Sequence, residues 1–373
     1  MSTAALAPFS IQPTASPTPA QTRTQLLADP GFGRVFTDHM ASLRYVEGRG
    51  WSEARIETRR ALAIDPATAV LHLGQMIFEG LKAYRTDDGQ VTLFRPTDNA
   101  KRFAQSAQRL AMPPLPQALF MEAIERLVDL DRDWIPHGEG SLYLRPFMFA
   151  SEVAFHVRPA LEYQFLVIAS PVGAYFKAGA KPISIWISPD YTRAAAGGTG
   201  AAKCGGNYAA SLLAQTEALQ HGCDQVVFLD AQERRWVEEL GGMNIFFVFE
   251  GGALVTPPLG GTILPGITRD SILVLARARG LEVREAPYSL DQWRSDAASG
   301  RLREVFACGT AAVLTAIGAV KTPSGRFKVA NGEEGPLTRA LRAQLTDIQR
   351  GRAADPHQWV HRLGASDDPQ AGL

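Results

Sequence analysis

Lys203 stands between two glycine clusters, in Gly197-Gly-Thr-Gly-Ala-Ala-Lys203-Cys-Gly-Gly-Asn-Tyr208, directly ahead of a stretch of helical composition. It is the sole lysine between 182 and 320 in a chain that has them at 82, 101, 177, 181, 203, 321 and 328. Two phosphate-binding patterns fail on this segment. A Walker loop needs glycine directly before the lysine and Ser or Thr after it, whereas Lys203 follows Ala202 and precedes Cys204. The dinucleotide pattern G-x-G-x-x-G, started at Gly198, meets Lys203 where its third glycine should fall. An amine held close to backbone suits Schiff-base chemistry with a carbonyl cofactor such as pyridoxal phosphate. A solvated lysine in a glycine-rich surface turn is the alternative that these residues leave open.

Such a cofactor demands a phosphate cradle, an acid for its pyridine nitrogen and a group beside its phenolic oxygen. Leu264-Pro-Gly-Ile-Thr268-Arg269 leads into an expected helix, Asp270 to Arg279, whose first amides can bind an anion. Cys308-Gly-Thr310-Ala-Ala reads as a second strand-to-helix turn carrying a hydroxyl. Ordinary capping by threonine explains either turn taken alone.

The elements that must position these groups follow from pattern. Asp87-Asp-Gly-Gln is a turn between Lys82–Tyr84 and Val91–Arg95, which alternate as half-buried strands do. Asp98 is placed to cap a helix with an apolar face of Phe103, Ala107 and Leu110, stopped by Pro113-Pro114, and a second helix is expected over about 117–130. Ser141–Phe149 and Tyr163–Ala169 read as strands, completing a mixed α+β first domain over 29–172. Residues 173–182, inside the stretch Pro171 to Pro182 that carries Gly173, Gly179 and two prolines, read as a linker to a second domain over 183–373. That domain is expected to run through a helix from about Tyr208 to His221 and strands at Gln225–Asp230, Arg235–Glu239 and Asn244–Phe249.

A length of 373 residues suits about two domains of ~150 residues. Lys+Arg and Asp+Glu both total 38, so no net field favours nucleic acid or an acidic membrane surface. Residues 1–28, rich in Ala, Pro, Ser, Thr and Gln, read as a disordered tail with neither a basic n-region nor an apolar h-region. No apolar run approaches the ~20 residues of a membrane helix. Three cysteines (204, 223, 308) form no C-x-x-C pair, which fits a reducing, cytoplasmic setting. His357 and His361, four apart in an expected helix, lack a zincin glutamate, and no metal site is expected.

Seven strings fall in order with matching spacing between about residues 30 and 362: Phe36-Thr-Asp-His-Met, Phe78-Glu-Gly-Leu-Lys-Ala-Tyr, Leu142-Tyr-Leu-Arg145-Pro, Val172-Gly-Ala-Tyr-Phe, Lys203-Cys-Gly-Gly-Asn-Tyr-Ala-Ala-Ser, Glu238-Glu-Leu-Gly-Gly-Met-Asn and Leu264-Pro-Gly-Ile-Thr-Arg. Together they resemble the branched-chain amino acid aminotransferases, fold type IV pyridoxal phosphate enzymes. The resemblance implies an α+β, two-domain fold, with a mixed α/β N-terminal domain and a larger α/β C-terminal domain holding a barrel-like sheet. It implies ping-pong transamination of Leu, Ile and Val with 2-oxoglutarate, with Lys203 as Schiff-base lysine and general base.

Carried over by position, Tyr208 would bond the cofactor's phenolic oxygen and Glu239 its pyridine nitrogen, while Arg95, the amides of Ile267 and Thr268, and Thr310 would hold its phosphate. The substrate would meet Phe32, Phe78, Tyr143 and Tyr175, with Tyr143 and Arg145 reaching the glutamate carboxylate and Ala311 and Gly242 near the α-carboxylate. Val157 resembles a residue donated by a neighbouring subunit, which implies a homodimer. Leu73 after His72 replaces the tyrosine of most relatives, and Gly242 replaces the threonine of some, so two hydroxyls are missing. Ala312 and Thr315 occupy the positions of a redox C-x-x-C, and no thiol switch is expected there. A D-amino acid aminotransferase or aminodeoxychorismate lyase would share Lys203 and Glu239, but the strings at 78–84 and 142–146 argue against both. A catalytically idle cofactor binder is the reading from another class.

Overall fold

Aromatic and β-branched residues alternate through Ser141–Ala150 and Glu162–Val172, and these strands form an antiparallel ladder unbroken from Ser141↔Val172 to Ala150↔Tyr163. The computed structural model describes residues 8–173 and 181–364. The chain divides into two units, Met1–Tyr175 with Asp347–Leu373, and Phe176–Thr346. Most of the expected linker 173–182 lies outside the described residues.

In the first unit the ladder is the middle of a nine-stranded sheet. The helix Gln117–Leu130 buries Phe120, Ala123, Ile124, Leu127 and Val128, spaced as one helical face. Its Phe120 meets Phe103 of the helix Pro96–Arg109 and Phe165 of the sheet at ring separations of 5.5 to 6.2 Å. Helices therefore cover this sheet face, leaving the other to carry Tyr143 and Arg145.

Three expectations about this unit are corrected. Residues 8–28 take defined positions in place of a disordered tail: Ser10–Ile11 pairs in parallel with Arg55–Ile56, Ala20–Ala28 is helical, and Phe9 is buried. The Thr14 amide donates to His39 Nε2 at 2.9 Å, which leaves the ring proton on Nδ1 to donate to the buried Asp131 at 2.6 Å. The C-terminal segment does not belong to the second domain. Val360–Leu363 pairs with Val91–Phe94, and Thr92 Oγ1 donates to the Gln349 carbonyl, which makes the first unit the longer one. The expected helix around His357 and His361 is a turn entering that strand; His357 stacks on Trp359 and His361 pairs with Glu125 at 2.9 Å.

The second unit is built on a nine-stranded mixed sheet running from Val237–Leu240 at one edge to Val283–Glu285 at the other. Beyond the far edge the chain returns to the first strand: Val237 N–H donates to the Tyr288 carbonyl and Leu290 N–H to the Arg235 carbonyl. The sheet thus curls into a barrel around Ile185, Val227, Ile245, Phe247, Trp293 and Val305. The helix Ile267–Ala278 begins three residues earlier than expected, and the helix Gly205–Gln220 also begins three earlier. Residues 310–312 turn between antiparallel strands Leu302–Gly309 and Val313–Thr322, not from strand to helix. Among the described residues, no helix is long and apolar enough to cross a membrane.

Asp131→Ala is expected to strip the buried acceptor from both the His39 amide and its ring, costing about 3 kcal/mol for the orphaned donors. Urea unfolding measures it; a loss under about 1 kcal/mol would show that this latch is not part of the cooperative fold.

Candidate active site

The glycine-flanked lysine loop is held by side chains rather than left to solvent. Asn207, in the first turn of the following helix, donates to the carbonyls of Thr199 and Ala202 at 2.7 and 2.9 Å and accepts from the Thr199 hydroxyl at 2.6 Å. Gly200 lies against backbone: a Cβ there would sit 2.2 Å from the Thr262 carbonyl oxygen. Lys203 emerges half-buried, and its Nζ donates to Tyr208 Oη at 2.7 Å. The five-residue separation puts Tyr208 one turn into the helix, beside the amine.

Glu239, on the strand Val237–Leu240, is 2% exposed. One carboxylate oxygen accepts from the Leu264 amide at 2.8 Å and pairs with Arg193 at 2.8 Å; the other accepts from Asn244 Nδ2 at 3.2 Å. Burial pushes its carboxyl up to about 7, against the opposing pull of Arg193 and of Lys203. Asn244 also donates to the Leu264 carbonyl and fills the space over Gly266, where a Cβ would meet its Oδ1 at 2.0 Å. Gly266 caps the helix that starts at Ile267, so the acid and this helix start are tied by one amide side chain. Neighbouring Glu238 accepts from the Thr262 hydroxyl at 2.6 Å, and burial raises its carboxyl too.

Thr310 and Ala311 occupy the hairpin turn, after which Val313 takes a left-handed φ of 60°. A Cβ built on Gly242 would touch the Tyr208 ring at 3.8 Å, ordinary contact, so the missing side chain at 242 is not excluded by space. The Cys308 thiol is fully buried, and burial pushes it up, away from reactivity. Among the described residues, no group of three His, Cys, Asp or Glu side chains could hold a metal ion.

In the first unit Arg95 caps the helix Pro96–Arg109 with a left-handed φ of 50°, stacks over Trp359 and pairs with Asp98 at 2.8 Å. Phe32, Phe78, Tyr143 and Arg145 come together as one wall. The Arg145 guanidinium lies 4.8 Å over the Phe78 ring, donates to Tyr143 Oη at 3.1 Å, and Phe32 packs edge-on to Tyr143 at 5.1 Å. Val157 is not in this wall; it projects from a loop at 91% exposure. Tyr175 lies outside the described residues.

Arg193, Asn207 and Asn244 were not singled out in the sequence. The two asparagines lie inside the Lys203 and Glu238 strings and share their signal. Arg193 stands in Tyr-Thr-Arg-Ala-Ala with no local pattern, and its partner is 46 positions away. The resulting donor set fits pyridoxal phosphate: a primary amine beside a phenol, a buried carboxyl for a ring nitrogen, and helix amides under a glycine that admits no Cβ.

Comparison with known proteins agrees. The family model for amino-transferase class IV matches residues 76–320. The probable branched-chain-amino-acid aminotransferase of Streptomyces coelicolor is 56% identical over 355 residues, covering 95% of this chain and 98% of that protein. The crystal structure of the Escherichia coli branched-chain amino acid aminotransferase superposes with a TM-score of 0.72 at 29% identity, over 87% of this chain and 100% of that one. That of the branched-chain amino acid aminotransferase from Thermobaculum terrenum, solved in its PLP-bound holo form, gives 0.70 at 25%, over 87% and 98%.

The Glu239 carboxyl sets a pH test on the cofactor-free chain. Between the ordinary 4.5 and about 7 the folded chain holds a proton that the unfolded chain has lost, so this group makes stability fall as pH rises, and its effect is flat above that window. Glu239→Gln is expected to flatten that part of the profile; urea unfolding at pH 5 and 8 compares the two slopes, and identical slopes would exclude the assignment.

Proposed function

The chain belongs to the class IV aminotransferases, and from that premise we propose how its own residues move an amino group. The reaction takes the amino group of L-leucine, L-isoleucine or L-valine to 2-oxoglutarate, leaving a branched-chain 2-oxo acid and L-glutamate. One contact carries the assignment of roles: Lys203 Nζ donating to Tyr208 Oη inside a loop that Asn207 and Arg193 hold in place.

When bound, pyridoxal phosphate supplies an aldehyde to hold the amino group and a ring that delocalises charge from the substrate's Cα. We assign Lys203 to anchoring it and to moving the proton at the substrate's Cα, within reach of an amine on a fixed loop. Tyr208 holds the amine in place and presents its hydroxyl to the phenolic oxygen. Glu239, with Arg193 favouring its anionic form, keeps a proton on the ring nitrogen. Arg95, the amides of Ile267 and Thr268, and the Thr310 hydroxyl are assigned to the phosphate.

Phe32, Phe78, Tyr143 and Arg145 are assigned to the substrate side chain, together with Tyr175. Apolar walls reward a branched chain by burial, and the guanidinium stacked on two rings can turn to a carboxylate without leaving it stranded. With no hydroxyl at Leu73 or Gly242, the α-carboxylate falls to backbone amides at Ala311 and its neighbours.

A homodimer completes this reading. Leu71, Leu73, Val153, Phe155 and Val157 are all exposed, and the two short segments that carry them are joined by the Thr68↔Val153 bridge and the His72–Phe155 ring contact at 4.8 Å. Cys204, Cys223 and Cys308 are free and buried, which supports a cytoplasmic setting.

Lys203→Ala is expected to lower the rate of the L-leucine half-reaction by about 10³-fold or more. Absorbance changes on adding L- and D-amino acids measure it. A response to D-leucine alone would move the chain to the D-specific branch, and full turnover by the variant would remove Lys203 from the mechanism. Val157→Asp is expected to shift sedimentation from a dimer to a monomer; a monomeric parent chain would refute the pairing.

A further inference from the structure

The strand that carries Phe78 is interrupted just where it should stiffen the substrate wall. Met76–Phe78 pairs with 147–149 and Leu81–Arg85 with 142–144 in one continuous register, which leaves Glu79 and Gly80 opposite Pro146 and Arg145. The Glu79 amide donates to the Pro146 carbonyl at 2.7 Å, but proline has no N–H with which to return the bond. Side-chain alternation puts Phe78 and Gly80 on the face of Tyr143 and Arg145, and Glu79 on the opposite face, toward the helix Pro96–Arg109.

There Glu79 is fully buried. Arg102 grips it with Nε at 2.7 Å and a terminal nitrogen at 2.8 Å, and Asn99 Nδ2 donates at 2.8 Å. The same carboxylate accepts from the Gly80 amide at 3.1 Å, while Asn99 also leans on the Gly80 carbonyl at 3.4 Å. Side chains thus fix the Gly80 peptide where ladder bonds are interrupted. On the front face Tyr143 rests on that peptide: a Cβ at Gly80 would lie 2.1 Å from its Oη and 2.9 Å from Cζ. Tyr143 Oη in turn accepts from Arg145.

We propose that Glu79, clamped by Arg102 and Asn99, is a positioning residue that sets Tyr143 and Arg145 for the carboxylate-ended substrate and matters little for the branched-chain one. The inference rests on the assignment of Phe78, Tyr143 and Arg145 to the substrate pocket. Hydrogen bonds to a carboxylate are directional and weaken steeply with misalignment, whereas burial of a branched side chain is not directional. A small displacement of the wall therefore affects the two substrates unequally.

Steady-state kinetics of the holoenzyme decides. Glu79→Gln is expected to raise KM for 2-oxoglutarate and L-glutamate about tenfold, with KM and kcat for L-leucine moving less than threefold. Because the change leaves Arg102 buried without its anion, Asn99→Ala serves as the milder variant, with a split of the same sign of about threefold. Folding of each is checked by circular dichroism and sedimentation, and if Glu79→Gln does not fold, the Asn99→Ala result stands alone. Equal shifts for both substrates, or none, in a folded variant overturn the proposal. Arg145→Ala separates the two levels: if it leaves KM for 2-oxoglutarate unchanged, the pocket assignment fails, and if it raises KM while both clamp variants behave as the parent, only the role of Glu79 fails.

Discussion

The second unit is organised around one buried ion pair. Glu239 and Arg193 are 2% and 1% exposed, and removing two such charges from water costs several kcal/mol for each unless geometry and further hydrogen bonds offset it. Here the offset is also the architecture. Arg193 donates to the carbonyls of Gly200 and Thr262 as well as pairing with Glu239, so one guanidinium joins the lysine loop, the acid's strand and the segment leading to the helix at Ile267. Glu239 completes the junction through the Leu264 amide and Asn244. Amine, acid and helix end keep their mutual placement because moving any of them would strand a charge.

That junction also marks the boundary of what the sequence could disclose. Lys203 was legible from its glycine-flanked setting, while Tyr208, Glu239 and Thr268 took their roles from the family resemblance of the short strings that hold them, and the helix Gln117–Leu130 falls where one was expected. Arg193 was not legible, because an isolated arginine among alanines gains its role from a partner that only the fold brings near. The N-terminal arm failed for a related reason. Composition over 1–28 is that of an unstructured tail, but docking needs only a few points, here Phe9, Thr14 on His39 and Thr18 on Asp38. The C-terminal histidines misled through spacing: four apart suits a helix, and pairing to the free side of Val91–Phe94 overrides it.

Under the substrate assignment proposed above, the first unit faces a different problem, that of one wall meeting both a branched hydrocarbon and a carboxylate. An arginine kept in open solvent would contribute little to either. Laid over Phe78 and Tyr143, Arg145 keeps its charge against ring faces, so the surface stays effectively apolar in outline while a cation remains available. Phe32 supports Tyr143 from the side and Gly80 supports it from beneath.

The ladder behind this wall lacks one bond because Pro146 cannot donate, so the Gly80 peptide needs rigidity from elsewhere as well. The helix Pro96–Arg109 supplies it. Asn99 and Arg102 lie three apart on one face of that helix, and Arg95 caps its start, so the residue assigned to the phosphate and the clamp on Glu79 are carried by a single element. The left-handed backbone at Arg95 costs about 1–2 kcal/mol. It is tolerated because the Arg95 amide donates to the Trp359 carbonyl at 2.7 Å and the guanidinium stacks on the same tryptophan. Trp359 lies in the returning C-terminal segment, which explains why residues so remote in sequence from the site belong to this unit: they hold the helix start that the rest of the wall is built behind.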